Sequence, residues 1–262
     1  MLKPNIMSNL LWIAVSFIFF SCDLTTDNNN LTPLSQPKKQ FATVKEIPAP
    51  GGYQRIKEGE DQDSFGEWLT NIRLKEDDLV YLYNGKLKRR QSTQFAVLDI
   101  SVGDKDLQQC ADAVMRLRAE YLFSQKRFDE IAFMDNNGRS YSWKGGNNRQ
   151  AFNKYLEQVF GWCGSASLEK QLRPVENINN MKPGDVFIQG GFPGHAMIVI
   201  DLAMNNEGKK VFMLAQSYMP AQDIHIVRNP MNEKLSPWYE VNDEEEITTP
   251  EWVFKRNHLR EW

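Results

Sequence analysis

MKPGDVFIQGGFPGHAMIVIDLAMNNEGKKVFMLAQSYMPAQDIHIV, residues 181–227, is the stretch whose reading decides the fold. Pro183-Gly184-Asp185 is a turn that feeds a strand at residues 186–189, and residues 190–194 form a glycine-rich loop. A nearly continuous apolar strand follows at 195–201, then a turn at Asn205-Asn206-Glu207-Gly208 and a returning strand at 211–216. Three antiparallel strands are therefore expected, with His195 opening the central one beside a loop able to border a cleft. A turn centred between Asn205 and Asn206 places Gln216 opposite His195, whereas moving that centre by one residue substitutes Tyr218. Asp201 shares a face with His195, but six residues of strand separate them by about 20 Å, too far to orient the ring.

Outward from this block, residues 106–124 (DLQQCADAVMRLRAEYLFS) form the most helical segment. Asp106 as N-cap with Gln109 three residues on reads as a capping box, which places Cys110 in the first turn. Leu107, Cys110, Ala111, Val114, Leu117 and Tyr121 fall on one stripe, so this helix faces the core, while Asp112 and Arg116 are spaced to pair on another face. Further helices are expected after Ser64, at 150–160 and at 167–172. Hairpins are expected around Asn84-Gly85 and Asn136-Asn137-Gly138. The class is α+β, a core helix packed on an antiparallel sheet with an N-terminal β-rich extension.

The N-terminus carries an address. Lys3 precedes an apolar run at 10–20 (LLWIAVSFIFF), the length of a signal-peptide core and too short to span a bilayer. It ends in Phe19-Phe20-Ser21-Cys22, which resembles a lipobox, so residues 1–21 are read as a cleaved signal peptide and Cys22 as the lipid-bearing residue. Residues 22–50, rich in Asn, Thr, Pro and Gln without an apolar period, read as a tether reaching on the order of 30 Å. Residues 51–262 are then one globular domain. The expected location is the cell envelope, in periplasm or outer membrane, with the membrane as partner through the lipid.

Composition excludes several chemistries. With 31 Lys and Arg against 34 Asp and Glu, the net charge is −3 and no basic stripe interleaves with aromatics, so nucleic acid is not an expected partner. There is no HExxH, paired CxxC, P-loop or GxGxxG, and three scattered histidines make a poor ligand set, so neither metal nor cofactor is expected.

A cysteine early in a core helix (QQCADAVMRL), a Pro-Gly-Asp strand entry (MKPGDVFI), a Gly-His strand (GHAMIVID) and a polar residue on the next strand (AQSY) resemble papain-like NlpC and CHAP cysteine amidases in kind and order. The mature chain also resembles the uncharacterised lipoproteins grouped as domain of unknown function family 4846. The first resemblance implies a papain-like fold and hydrolysis of an amide bond, in peptidoglycan peptide given the exported address. The chemistry of the trio is consistent with that. Cys110 at a helix N-terminus is placed for a depressed pKa, His195 can take the thiol proton and return it to the leaving amine, and Gln216 can hold the other ring nitrogen. The Cys110 backbone N–H with a donor from Gln108 or Gln109 would hold the oxyanion. Two alternatives stay open: a catalytically inactive domain of the same shape that binds envelope glycan or peptide, and a thiol acyltransferase.

Other residues have bland readings beside the chemical one. Cys110 lies in an apolar stripe where a cysteine is often a small buried hydrophobe, and Asp112 two residues on opposes thiolate formation. Cys163 reads as packing, or as a disulfide partner for Cys110 in an oxidising compartment. His225, flanked by Ile224 and Ile226, is assigned to the strand face away from the core, and His258 to a charged tail. Residues 236–239 (SPWY) read as an aromatic anchor for the C-terminal segment or as a sugar platform.

Overall fold

The computed structural model describes residues 41–56 and 64–262; the expected signal peptide, the expected lipidation site Cys22 and most of the expected tether lie outside the described residues. In chain order the strands are β1 (Tyr53–Arg55), β2 (Gln94–Val97), β3 (Ala132–Met134), β4 (Ser140–Ser142), β5 (Arg173–Pro174), β6 (Val186–Gln189), β7 (His195–Asn205), β8 (Lys210–Gln216), β9 (His225–Val227), β10 (Tyr239–Glu240), β11 (Glu246–Thr248), β12 (Val253–Lys255) and β13 (Leu259–Glu261). The helices are α1 (Phe65–Thr70), α2 (Cys110–Ser124), α3 (Arg149–Trp162) and α4 (Ser165–Gln171). The class is α+β. One antiparallel sheet runs β2-β9-β8-β7-β6-β13-β5, with β1 added to β7 and β10 to β8, and β3–β4 and β11–β12 stand apart as hairpins.

β7 is the centre of the molecule because it is apolar on both faces. Its first nine residues are all buried. Ala196, Ile198 and Ile200 enter the larger core with Val114, Met115 and Leu117 of α2. Met197 and Val199 enter a second core on the opposite face with Phe212, Leu214 and Phe254. A register shift between Val199 and Asp201 then exchanges the faces, so that Leu202 joins the second core and Ala203 the first. β6 covers the start of β7 and β1 its end, where Arg55 reaches the buried Asp201 carboxylate at 2.7 Å.

Several local expectations shift. α2 begins at Cys110, three residues later than the Asp106 cap implied, because the Gln109 N–H reaches the Asp112 carboxylate at 3.0 Å. Asp106 instead accepts from Gln109 Nε2 at 3.1 Å and from the Ala221 backbone at 2.7 Å. Asp112 is buried and does not pair with Arg116, which takes Glu120 at 3.3 Å. Residues 41–50, assigned by composition to the tether, belong to the packed body: Val44 and Ile47 are fully buried, and Trp238 Nε1 donates to the Pro48 carbonyl at 2.9 Å. That indole is an anchor buried in the core, not an exposed sugar platform.

The loop between β6 and β7 fixes where His195 begins. A Cβ on Gly194 would stand 2.4 Å from Ser165 Oγ and 2.7 Å from the carbonyl oxygens of Gln189 and Gly191. Two of those three neighbours are backbone, which cannot step aside as a side-chain tip can. Gly194→Ala is therefore expected to destabilise the chain by about 1–3 kcal/mol through overpacking. A urea unfolding curve superimposable on wild type would show that the loop yields freely.

Candidate functional site

The site is assembled at one end of the sheet, where α2 starts, β7 starts and β8 ends. Cys110 is the first residue of α2, 8% exposed, and belongs to the larger core. Its sulfur faces the backbone N–H groups of Ala196, Ala111 and Cys110 itself. Ala196 directly follows His195 in β7, so the fold brings the thiol to the residue next to the imidazole although 85 positions separate them in sequence. The second cysteine, Cys163, is also buried, and both are free thiols.

His195 lies against the other side of the strand. Its ring stacks on Phe254 at 5.8 Å and contacts Trp252 at 5.2 Å and Tyr218 at 4.9 Å. Its Nε2 is 2.8 Å from Gln216 Oε1. An amide oxygen can only accept, so Nε2 carries the ring proton and Nδ1 keeps a lone pair. The pairing of these two residues is as the sequence suggested, but not by the register assumed. The β7–β8 turn is centred on Glu207, and past the bulge Ile198 pairs with Ala215. Continuing that ladder sets Gln216 across from Met197, and the amide reaches His195 along the diagonal. Tyr218, which that ladder sets across from His195, makes the ring contact.

The network extends to residues that pattern reading did not single out. Gln216 Nε2 is 2.8 Å from Glu251 Oε2 and 3.3 Å from His225 Nε2. Glu251 is ion-paired with Lys88 at 2.6 Å, and Lys88 Nζ also donates to Thr93 Oγ1 at 3.0 Å. Removing one partner of a pair this buried costs about 3–5 kcal/mol, so the charges hold each other in place. His225, assigned above to the face away from the core, is fully buried: that face is covered by the second core and by the β11–β12 hairpin. Glu251 and Lys88 carried no local signal, since each is one charge among many and only the hairpin's return across the sheet joins them. Of the two proposed oxyanion donors, Gln109 Nε2 is engaged by Asp106, whereas Gln108 Nε2 is buried without a partner among the described residues.

Electrostatics oppose a resting ion pair. Burial, reinforced by the Asp112 carboxylate, pushes the Cys110 thiol up to about 11, with the three backbone N–H groups pulling the other way. That elevation corresponds to roughly 3 kcal/mol against the thiolate, while a helix N-terminus returns about 1 kcal/mol or less. Burial wins, and the resting thiol is neutral. Burial likewise pulls His195 down to about 4 despite the Gln216 hydrogen bond, with the Lys88 charge adding to the depression. Asp112 is itself pushed well up by burial. A cavity of about 580 Å³ lined by Val175, Met181, Lys182, Leu202 and Lys210 includes none of the three predicted site residues.

Because the folded chain holds His195 neutral down to about 4 while an unfolded histidine protonates near 6.5, the unfolded state binds more protons across that window. His195 thus contributes stability that is complete above about pH 6.5 and is lost as the pH falls towards 4. Melting temperature is expected to fall through this interval, and less steeply in His195→Asn. Parallel pH profiles for the two proteins would assign the acid sensitivity to other groups.

Neither the curated proteins nor the solved structures hold a match to this chain. One family model does match, over residues 44–147 and 142–261, which together take in both faces of the sheet, α2 and every residue of the network. On that match the chain belongs to the family described as domain of unknown function 4846.

Proposed function

We propose that this chain is an exported, lipid-anchored cysteine amidase of papain-like type that hydrolyses an amide bond in cell-envelope peptide. The observation that carries the reading is that the start of β7 gathers both groups: the Cys110 sulfur, at the first position of α2, meets the N–H of Ala196, and the preceding residue of the strand is His195, protonated on Nε2. In this mechanism Cys110 Sγ attacks the carbonyl carbon as its proton passes to His195 Nδ1. The proton moves with the attack and not before it, since the resting pair is neutral. The oxyanion is held by the Cys110 N–H and by Gln108 Nε2, whose unpartnered state gives it a donor to spare. His195 then protonates the leaving nitrogen, the C–N bond breaks, and water attacks the thioester to release the acid and restore the thiol. The lipid anchor at Cys22 supplies the envelope address.

A second reading is favoured by the same burial. His195 is 2% exposed beneath Trp252 and Phe254, as suits a catalytically silent domain that retains the polar cluster and binds envelope peptide or glycan.

Turnover of peptidoglycan fragments by the full chain is expected to fall more than about a thousandfold in Cys110→Ala with the fold retained; equal activity removes Cys110 from the mechanism. Iodoacetamide labelling of Cys110 is expected to proceed in the folded chain and to accelerate with pH towards about 11. Labelling seen only after unfolding supports the silent reading. For the anchor, Cys22→Ser is expected to move the expressed chain from the membrane pellet to the soluble fraction, and unchanged sedimentation overturns lipidation at that residue.

A further inference from the structure

An amide can offer either its oxygen or its nitrogen to a histidine, and the two ends are nearly the same size. What decides which end of Gln216 faces His195 lies on the far side of the amide. Its nitrogen has two partners there, Glu251 Oε2 at 2.8 Å and His225 Nε2 at 3.3 Å. Both are acceptors. The Glu251 carboxylate, paired with Lys88, has no proton to give, and His225 directs Nδ1 at the Asp223 carbonyl at 2.9 Å, which leaves Nε2 as a lone pair. Of the two, Glu251 is nearer and charged, and a charge-assisted hydrogen bond is roughly twice as strong as a neutral one.

We propose that Glu251 is a positioning residue of the site: by accepting the Gln216 N–H it turns the amide oxygen to His195 and so selects the tautomer protonated on Nε2. The proposal rests on the reading of His195 as the base, and it adds a requirement to that reading. With the amide reversed, Gln216 would offer N–H to the ring, the proton would move to Nδ1, and the lone pair that receives the thiol proton would be lost. The site then depends on the turn of the β11–β12 hairpin, which Thr249 closes through its bonds with Trp252 and which delivers Glu251 across 35 residues of sequence to Gln216. Lys88 takes the role of holding the carboxylate in place from the opposite end of the chain.

The test reads the tautomer directly. The full-length chain contains three histidines, so labelling with ¹⁵N-histidine and recording long-range ¹H–¹⁵N correlations gives three resolvable ring patterns. Wild type is expected to show His195 as a single Nε2–H tautomer with widely separated ring nitrogens. Glu251→Ala alone strands Lys88 as a buried unpaired charge and endangers the fold, so the informative variant is Lys88→Met with Glu251→Met, which removes both charges and keeps the volume. In that double variant the His195 nitrogens are expected to shift towards each other as the tautomers mix, while His225 keeps its Nδ1–H pattern and reports an intact fold. An unchanged His195 pattern overturns the proposal and leaves His225 as a sufficient lock. No turnover enters this measurement: a chain whose tautomer follows Glu251 but which cleaves nothing counts against the amidase reading alone, and an active chain whose tautomer ignores Glu251 counts against the positioning role alone.

Discussion

β7 is buried on both faces over nine residues, and the rest of the structure is arranged around satisfying it. A strand with apolar side chains on both sides needs two covers. α2 supplies one, and the second core with the β11–β12 hairpin supplies the other. Because a one-residue slip would exchange the two sets of side chains, the register is strongly specified, and the single shift after Val199 is where the exchange is made deliberately. His195 at the start of this strand inherits that precision. Its position is set by Gly194, whose missing Cβ lets the loop close on Ser165 and on its own carbonyls.

The same burial shapes the chemistry. Sulfur and imidazole approach the start of β7 from its two sides, one out of the larger core and the other from beneath an aromatic cover. Desolvation outweighs the helix dipole at Cys110 and the Gln216 hydrogen bond at His195, so both groups rest uncharged. A buried polar chain running from His195 through Gln216 to Glu251 and Lys88 is costly to assemble unless every member is paired. Here each is paired, by partners drawn from four separate stretches of sequence. That arrangement ties the C-terminal hairpin to the imidazole and gives a surface turn a role at the centre of the molecule.

Much of the framework was legible in the residues. The β6–β7–β8 meander was marked by Pro183-Gly184-Asp185 and the Asn205–Gly208 turn, α2 by its apolar stripe, the 132–142 hairpin by Asn-Asn-Gly, and α1 by Ser64, whose hydroxyl accepts from Glu67 N–H at 3.1 Å. The start of α2 was misplaced because Asp106 and Gln109 have the spacing of a capping box, while tertiary contact with Ala221 drew Asp106 away and let Asp112 close the cap. His225 was misassigned because alternation with two isoleucines marks one buried face and is silent on whether the other is also covered. The N-terminal boundary was drawn late because Phe41, Val44 and Ile47 follow a long polar stretch, and the core they join is built from residues far along the chain, Trp238 among them.

Local pattern by itself determined the β6–β7–β8 meander, the four helices to within a few residues, the 132–142 hairpin and the candidacy of Cys110, His195 and Gln216, because strand alternation, helical spacing and turn residues act over a few positions. Tertiary structure alone decided that Gln216 reaches His195 diagonally from a shifted ladder, that Glu251 and Lys88 complete the network, and that the thiol rests neutral. The reason is physical: hydrogen-bond partnership, dielectric surroundings and ion pairing depend on what the fold brings within a few ångströms, and the partners that join His195, Gln216, Glu251 and Lys88 come from 21 to 163 residues away along the chain.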